Sequence, residues 1–156
     1  MLKVSQKVEY GMRAMIELAL RRERFGEALV PARTIAEAQA IPLRFLEQQL
    51  GTLHKAGLVE SFRGAGGGCR LGKDPAEIRV ADVVDALERP LYPMGCLDDH
   101  ECSFDAHCGL QEMWSEVHVA VRAVFEQMTL ADMVTKHLRL TAPQVWAPSE
   151  LLRPRA

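Results

Sequence analysis

Aromatic side chains are scarce in this chain: Phe, Trp and Tyr together make up 6% of its 156 residues. Any core must therefore be built from Leu, Ile, Val, Met and Ala. No run approaches the roughly 18 uninterrupted apolar residues that a membrane span needs, and the stretch from Met1 to Met15 has no apolar core of the kind that drives export. A cytoplasmic protein with no membrane partner is expected. Cysteine is limited to four residues, and in a reducing compartment so few thiols point to metal or redox chemistry before structural disulfides. No Ser/His/Asp triad or paired-carboxylate arrangement stands out, so catalysis is not expected. What remains is enough chain for one domain with an appendage.

The net charge of −2 conceals a division. Residues 1–72 carry eleven Lys and Arg against seven Glu, a net of +4, whereas residues 73–156 carry eight against fourteen Asp and Glu, a net of −6. A basic N-terminal half beside an acidic remainder suits a protein that binds a polyanion locally.

Apolar residues Val8, Met12, Met15, Ile16 and Ala19 recur at steps of three and four and predict a first amphipathic helix. A short second helix follows Pro31, and a third runs from Pro42 to about Lys55, with Gly57 as its stop. Leu58–Phe62 and Cys69–Leu71, joined by the glycine-rich stretch 63–68, read as a hairpin. Val80–Leu87 is a further helix. Leu110, Trp114, Val117, Val121, Val124 and Met128 then alternate steps of four and three along a long helix, a heptad-like seam suited to a dimer interface. A short helix over about 130–137 closes the ordered part, and the Pro-containing tail reads as irregular. The fold class is thus mainly α with a small β-hairpin wing: a winged helix-turn-helix over 1–90, a cysteine-rich loop over 91–109, the dimer and closing helices over 110–140, and a tail over 141–156.

At about 100° per residue, Leu43, Leu46, Leu50 and Leu53 cluster on one side of the third helix. Arg44, Gln48, Thr52 and Lys55 fall opposite, with Phe45 near the edge. Arg and Gln at i and i+4 match base edges, guanine and adenine respectively, while Thr52 and Lys55 suit phosphates. The glycines of the wing, Gly66 among them, permit close backbone approach to a ligand, and Arg63 at its base suits a minor groove. A nucleotide-cradling loop is the competing reading. It lacks the Lys-Ser/Thr of a P-loop and does not open a helix.

Cys96, Cys102 and Cys108 lie at equal spacing in one loop. Three thiolates wrapped around one centre suit an iron–sulfur cluster, zinc or monovalent copper, and spacing alone does not choose. Cys69, on a wing strand, reads as a small packed residue.

Tyr10 with Arg13-Ala14-Met15, Ile35-Ala36-Glu37, Phe45-Leu46-Glu47-Gln48, Lys55-Ala56-Gly57-Leu58-Val59, the stretch 63–68 and Thr129-Leu130-Ala131-Asp132 together resemble the winged-helix transcription regulators of the IscR, NsrR and CymR type, over about 2–138. The resemblance implies a homodimer on a near-palindromic double-stranded DNA operator, with Arg44, Glu47 and Gln48 at base edges and Arg63 in the minor groove. It also implies an iron–sulfur cluster on Cys96, Cys102 and Cys108, of two-iron or four-iron form. Gln111 stands where IscR-type members carry a His ligand. NsrR-type members use an acidic residue of the first helix, which here is Glu9; His107 and His100 are the other candidates. Ala40 occupies a turn position usually held by Gly, and Cys69 replaces an aromatic residue. The expected function is a cluster-sensing regulator, in the first instance a repressor. A zinc- or thiol-based regulator of the same fold, and a small iron–sulfur electron-transfer protein, are the alternatives.

Overall fold

The computed structural model describes residues 4–88 and 108–141. Helix α1 (Gln6–Phe25) starts where Ser5 accepts from the Val8 amide and ends at Gly26, whose φ of 72° admits glycine readily. It is the central strut. Ala14, Met15, Leu18 and Ala19 are buried, and α2, α3, α4, α6 and β2 all pack on it. Gly11 is there for proximity: a Cβ would lie 2.2 Å from Leu87 Cδ1 of α4.

Helix α2 (Ala32–Gln39) and helix α3 (Leu43–Lys55) each follow a proline, Pro31 and Pro42. Between them the chain turns at Ala40, with φ 48° and ψ 46°. The amides of Ala40 and Ile41 close back on the carbonyls of Glu37 and Ala36 at 3.3 and 2.9 Å, the closure that normally carries glycine at its left-handed residue. Alanine there costs about 1 kcal/mol or more. This is the turn position at which the family resemblance sets Gly and this chain has Ala.

Strands β1 (Val59–Phe62) and β2 (Gly68–Leu71) pair antiparallel, with Ser61 opposite Cys69. Val30 exchanges two backbone bonds with Cys69 at 2.8 Å, which fastens the wing to the segment before α2. At Gly67 a Cβ would meet the Phe62 carbonyl oxygen at 2.4 Å, so the turn tolerates no side chain there.

Helix α4 (Val80–Leu87) packs on α1 and α3, and α5 (Gly109–Gln127) packs on α4. Asp85 of α4 takes Arg122 of α5, which also bonds Glu126, and these two carboxylates raise the Arg122 pKa above its ordinary value. Helix α6 (Leu130–Thr141) is longer than the periodicity predicts, because Leu130 and Val134 anchor it in the core and good helix formers extend it into solvent. A capping box starts it: Asp132 accepts from the Thr129 amide and hydroxyl, and returns its own amide to that hydroxyl. These bonds hold the Asp132 carboxyl below its usual pKa.

The expected mainly helical winged helix-turn-helix with one hairpin is what the chain forms, to within a few residues at each boundary. No helix among the described residues is long and apolar enough to cross a membrane.

Candidate nucleic-acid interface

Leu46, Leu50 and Leu53 turn inward on α3 and are buried, whereas Leu43 is only half-buried. Gln49 fills the remaining inward position at 5% exposure. The arc from Gln49 through Leu53 and Leu46 to Leu50 spans about 100° of the helix, and Leu43 falls just beyond its rim. Outward side chains follow from that arc. Arg44, Glu47, Gln48, Thr52 and Lys55 are all exposed, with Thr52 Oγ1 bonded back to the Gln48 carbonyl at 3.1 Å. Phe45 lies between the two faces and meets Tyr10 of α1 edge-on, with ring centroids 5.4 Å apart.

In the wing, Arg63 and Gly66 are exposed, and Gly64 takes a φ of 108°. The outer face of the hairpin carries a separate cluster: Arg70 bonds Glu60 at 2.7 Å and lies over the Phe62 ring. Charge accounting therefore separates the arginines. Arg13, Arg21, Arg22, Arg70 and Arg122 are held in ion pairs, while Arg44, Lys55 and Arg63 have no carboxylate within 4.0 Å among the described residues. Arg33, exposed near the start of α2, is likewise unpaired; sequence reading did not single it out, because nothing in the pattern distinguishes it from any surface arginine.

Glu9 stands exposed on α1 with Arg13 as its ionic partner at 3.6 Å. Cys108 directly precedes α5 and its thiol is free and half-buried. Cys96, Cys102, His100 and His107 lie outside the described residues, so the loop that joins Cys108 to them does too. Cys69 is buried, with its Sγ 3.6 Å from the Ser61 hydroxyl.

Along α5, Leu110 and Val124 are exposed, at 58% and 54%, as is Met113 at 43%. Trp114, Val117 and Val121 are half-buried, and Met128 packs against the core of its own chain. No residue of α5 is buried. One side of this helix is held by α4, and Leu110, Met113, Val117 and Val124 form an apolar stripe on the other.

Comparison with known proteins bears on this surface. The family model Rrf2, described as an iron-dependent transcriptional regulator, matches residues 4–136. The chain is 36% identical over 134 residues to the HTH-type transcriptional regulator CymR of Bacillus subtilis, covering 86% of this chain and 91% of that protein. It is 34% identical over 133 residues to the HTH-type transcriptional regulator IscR of Serratia proteamaculans, covering 85% and 79%. Among solved structures, the IscR of T. potens superposes with a TM-score of 0.74 at 36% identity, covering 92% of this chain and 93% of that one. CymR of B. subtilis, the global cysteine regulator, does so with a TM-score of 0.73 at 36% identity, covering 87% and 98%.

Proposed function

The chain belongs to the Rrf2 family of transcriptional regulators, and from that premise we propose that it is an iron–sulfur-cluster-sensing repressor. It binds near-palindromic operator DNA as a homodimer and responds to redox state, nitric oxide or iron–sulfur supply. The observation that carries this reading is the trio Cys96, Cys102 and Cys108 in a chain that matches a family described as iron-dependent. Thiolates select iron–sulfur centres over hard cations, and the one thiol of the three among the described residues, Cys108, is free of any disulfide and half-buried. That donor set fits a cluster. Cys96, Cys102 and Cys108 would hold it, and Glu9, released from Arg13, would complete the set. When bound, a cluster supplies a centre whose oxidation, nitrosylation or loss alters its ligand set.

The remaining chemistry belongs to the chain. Cys108 joins directly onto α5, so a change in the loop is a change at the start of the dimer helix. Leu110, Trp114, Val117, Val121, Val124 and Met128 supply the seam of that dimer. Glu9 lies on α1, the strut against which the reading helix packs. Arg44, Glu47 and Gln48 read base edges, Thr52 and Lys55 grip phosphates, and Arg63 enters the minor groove beside Gly66. Two-fold symmetry sets the two α3 helices one helical turn of DNA apart or a multiple of it.

Anaerobic purification tests the reading. The protein should be coloured, contain iron and sulfide in comparable amounts, and select one near-palindromic duplex from a random pool. Cys102→Ser should remove the colour and change operator affinity. A colourless zinc-loaded protein overturns the cluster assignment. A second reading, a thiol-based regulator using the same cysteines, is favoured by the CymR relatives, one of which, from Staphylococcus aureus, has been solved in an oxidised form. Its mark is operator affinity that responds to peroxide in protein that carries no iron. Family membership leaves the electron-transfer alternative without support.

A further inference from the structure

The turn between α2 and α3 sets the direction in which α3 departs, yet it is built on an unfavourable residue. Ala40 is the one non-glycine with positive φ among the described residues. An alanine held left-handed needs neighbours that fix it there, and these converge on Arg13. Its guanidinium donates to the main-chain carbonyl of Gln39, the residue before Ala40, and its Nε donates to the Gln39 side-chain oxygen at 3.4 Å. Gln39 Nε2 in turn donates to Glu17 at 2.9 Å, and Glu17 also takes Arg21 at 2.7 Å. On its other side Arg13 pairs with Glu9. The guanidinium also lies over the Tyr10 ring, 5.8 Å from its centre, and that ring abuts Phe45 of α3.

We propose that Arg13 is a positioning residue for DNA recognition: its grip on Gln39 holds the Ala40 turn left-handed and so fixes the pose of α3. The inference rests on the reading of α3 as the helix that enters the major groove. The planar fork of arginine serves here because it reaches backbone and side-chain acceptors of one residue while its face rests on a ring. Lysine reproduces the charge and not the fork. Arg13 is assigned a place behind the interface and not on the DNA: its Nε and one terminal nitrogen bond Gln39, and the other terminal nitrogen faces Glu9.

The test uses the full chain, with Arg13→Lys alone and combined with Ala40→Gly. Arg13→Lys should bind the selected operator about tenfold more weakly, as loss of a charge-assisted bond implies, with affinity for random duplex unchanged. The slope of log affinity against log salt should also stay the same, because no phosphate contact is removed. Amide exchange at Ile41, whose N–H closes the turn on the Ala36 carbonyl, should accelerate in free protein. Glycine adopts positive φ without strain, so Ala40→Gly should return operator affinity to within about twofold of the parent. Gln39→Ala serves as an independent variant should Arg13→Lys fold poorly, with the same signs expected. A lower Tm with operator affinity intact, a failure of Ala40→Gly to rescue, or a shallower salt slope each overturns the proposal. If the parent protein selects no duplex, it is the DNA reading that falls, and exchange at Ile41 still decides whether Arg13 holds the turn.

Discussion

Substituting Arg63 by Ala gives a sharp test of the wing. Arg63 is exposed and has no carboxylate within 4.0 Å among the described residues, so its charge is fully available to DNA. Each phosphate charge neutralised on duplex DNA releases condensed counterions and steepens the dependence of log affinity on log salt by about 0.9. The proposed homodimer would lose two such charges, so the slope should become shallower by about 1.8. Between 50 and 200 mM salt that difference amounts to a factor of roughly ten, so the deficit of Arg63→Ala should be large at low salt and shrink about tenfold at high salt. The control lies on the same hairpin. Arg70 is equally an arginine of the wing, but it bonds Glu60 at 2.7 Å and covers Phe62, so its charge is largely spent within the protein. Arg70→Ala should leave the slope unchanged. Fluorescence anisotropy of a labelled operator, titrated at five or six salt concentrations, reads both variants. Equal slopes for Arg63→Ala and the parent, or equal losses for Arg63→Ala and Arg70→Ala, refute the assignment of Arg63 to the DNA.

Val124→Asp places a charge on the exposed apolar stripe of α5 and should convert the proposed dimer to monomer in sedimentation equilibrium, with operator affinity falling in parallel. Gly67→Ala drives a Cβ to 2.4 Å from the Phe62 carbonyl. The wing turn should open and weaken operator binding tenfold or so, while the change in Tm stays small because the turn is exposed. Leu46→Ala removes a fully buried side chain from α3 and should cost about 2–5 kcal/mol in denaturant unfolding. The folded Asp132 carboxyl sits below its usual pKa because Thr129 bonds its charged form. Its contribution is therefore present above the unfolded value of about 3.9 and lost as pH falls through the folded value. Asp132→Asn should flatten that part of the acid limb of Tm against pH.

Much of the fold is legible because periodicity alone decides it. Val80–Leu87 can be read from sequence residue for residue, and Pro42 and Gly57 bracket α3 by chemistry that needs no tertiary context. Where reading fails, geometry overrules polarity. Gln49 is buried and Leu43 is not, because the inward arc of α3 is centred between Leu53 and Leu46. The site residues on α3 are visible as a face, whereas the groups that set the pose of that face are not. Arg13 meets Gln39 across 26 positions, Arg122 meets Asp85 across 37, and Ser5 meets Glu88 across 83. No local pattern encodes such pairs. They exist only once the helices have packed.

The same distinction changes the meaning of the charge asymmetry. A net of +4 over residues 1–72 reads as a diffuse basic half, and a diffuse field attracts DNA to many faces. Folding narrows that ambiguity. Arg13, Arg21 and Arg22 are neutralised by Glu9, Glu17, Glu27 and Asp74 along α1 and its flank, and Arg70 by Glu60 behind the wing. Among the described residues of this half, Arg33 on α2, Arg44 and Lys55 on α3 and Arg63 at the base of the wing turn lack a carboxylate partner, as do Lys7 and Arg24 on α1; the first four lie on the three elements that a winged helix brings to a duplex. The carboxylates thus act as a partial filter: by pairing Arg13, Arg21, Arg22 and Arg70, they leave four of the six unpaired cations on α2, α3 and the wing. Removing one of them makes the point testable. Glu60→Gln should release Arg70 on the outer face of the hairpin, raising affinity for random duplex more than for the operator and so lowering discrimination, without altering the residues proposed to read the bases.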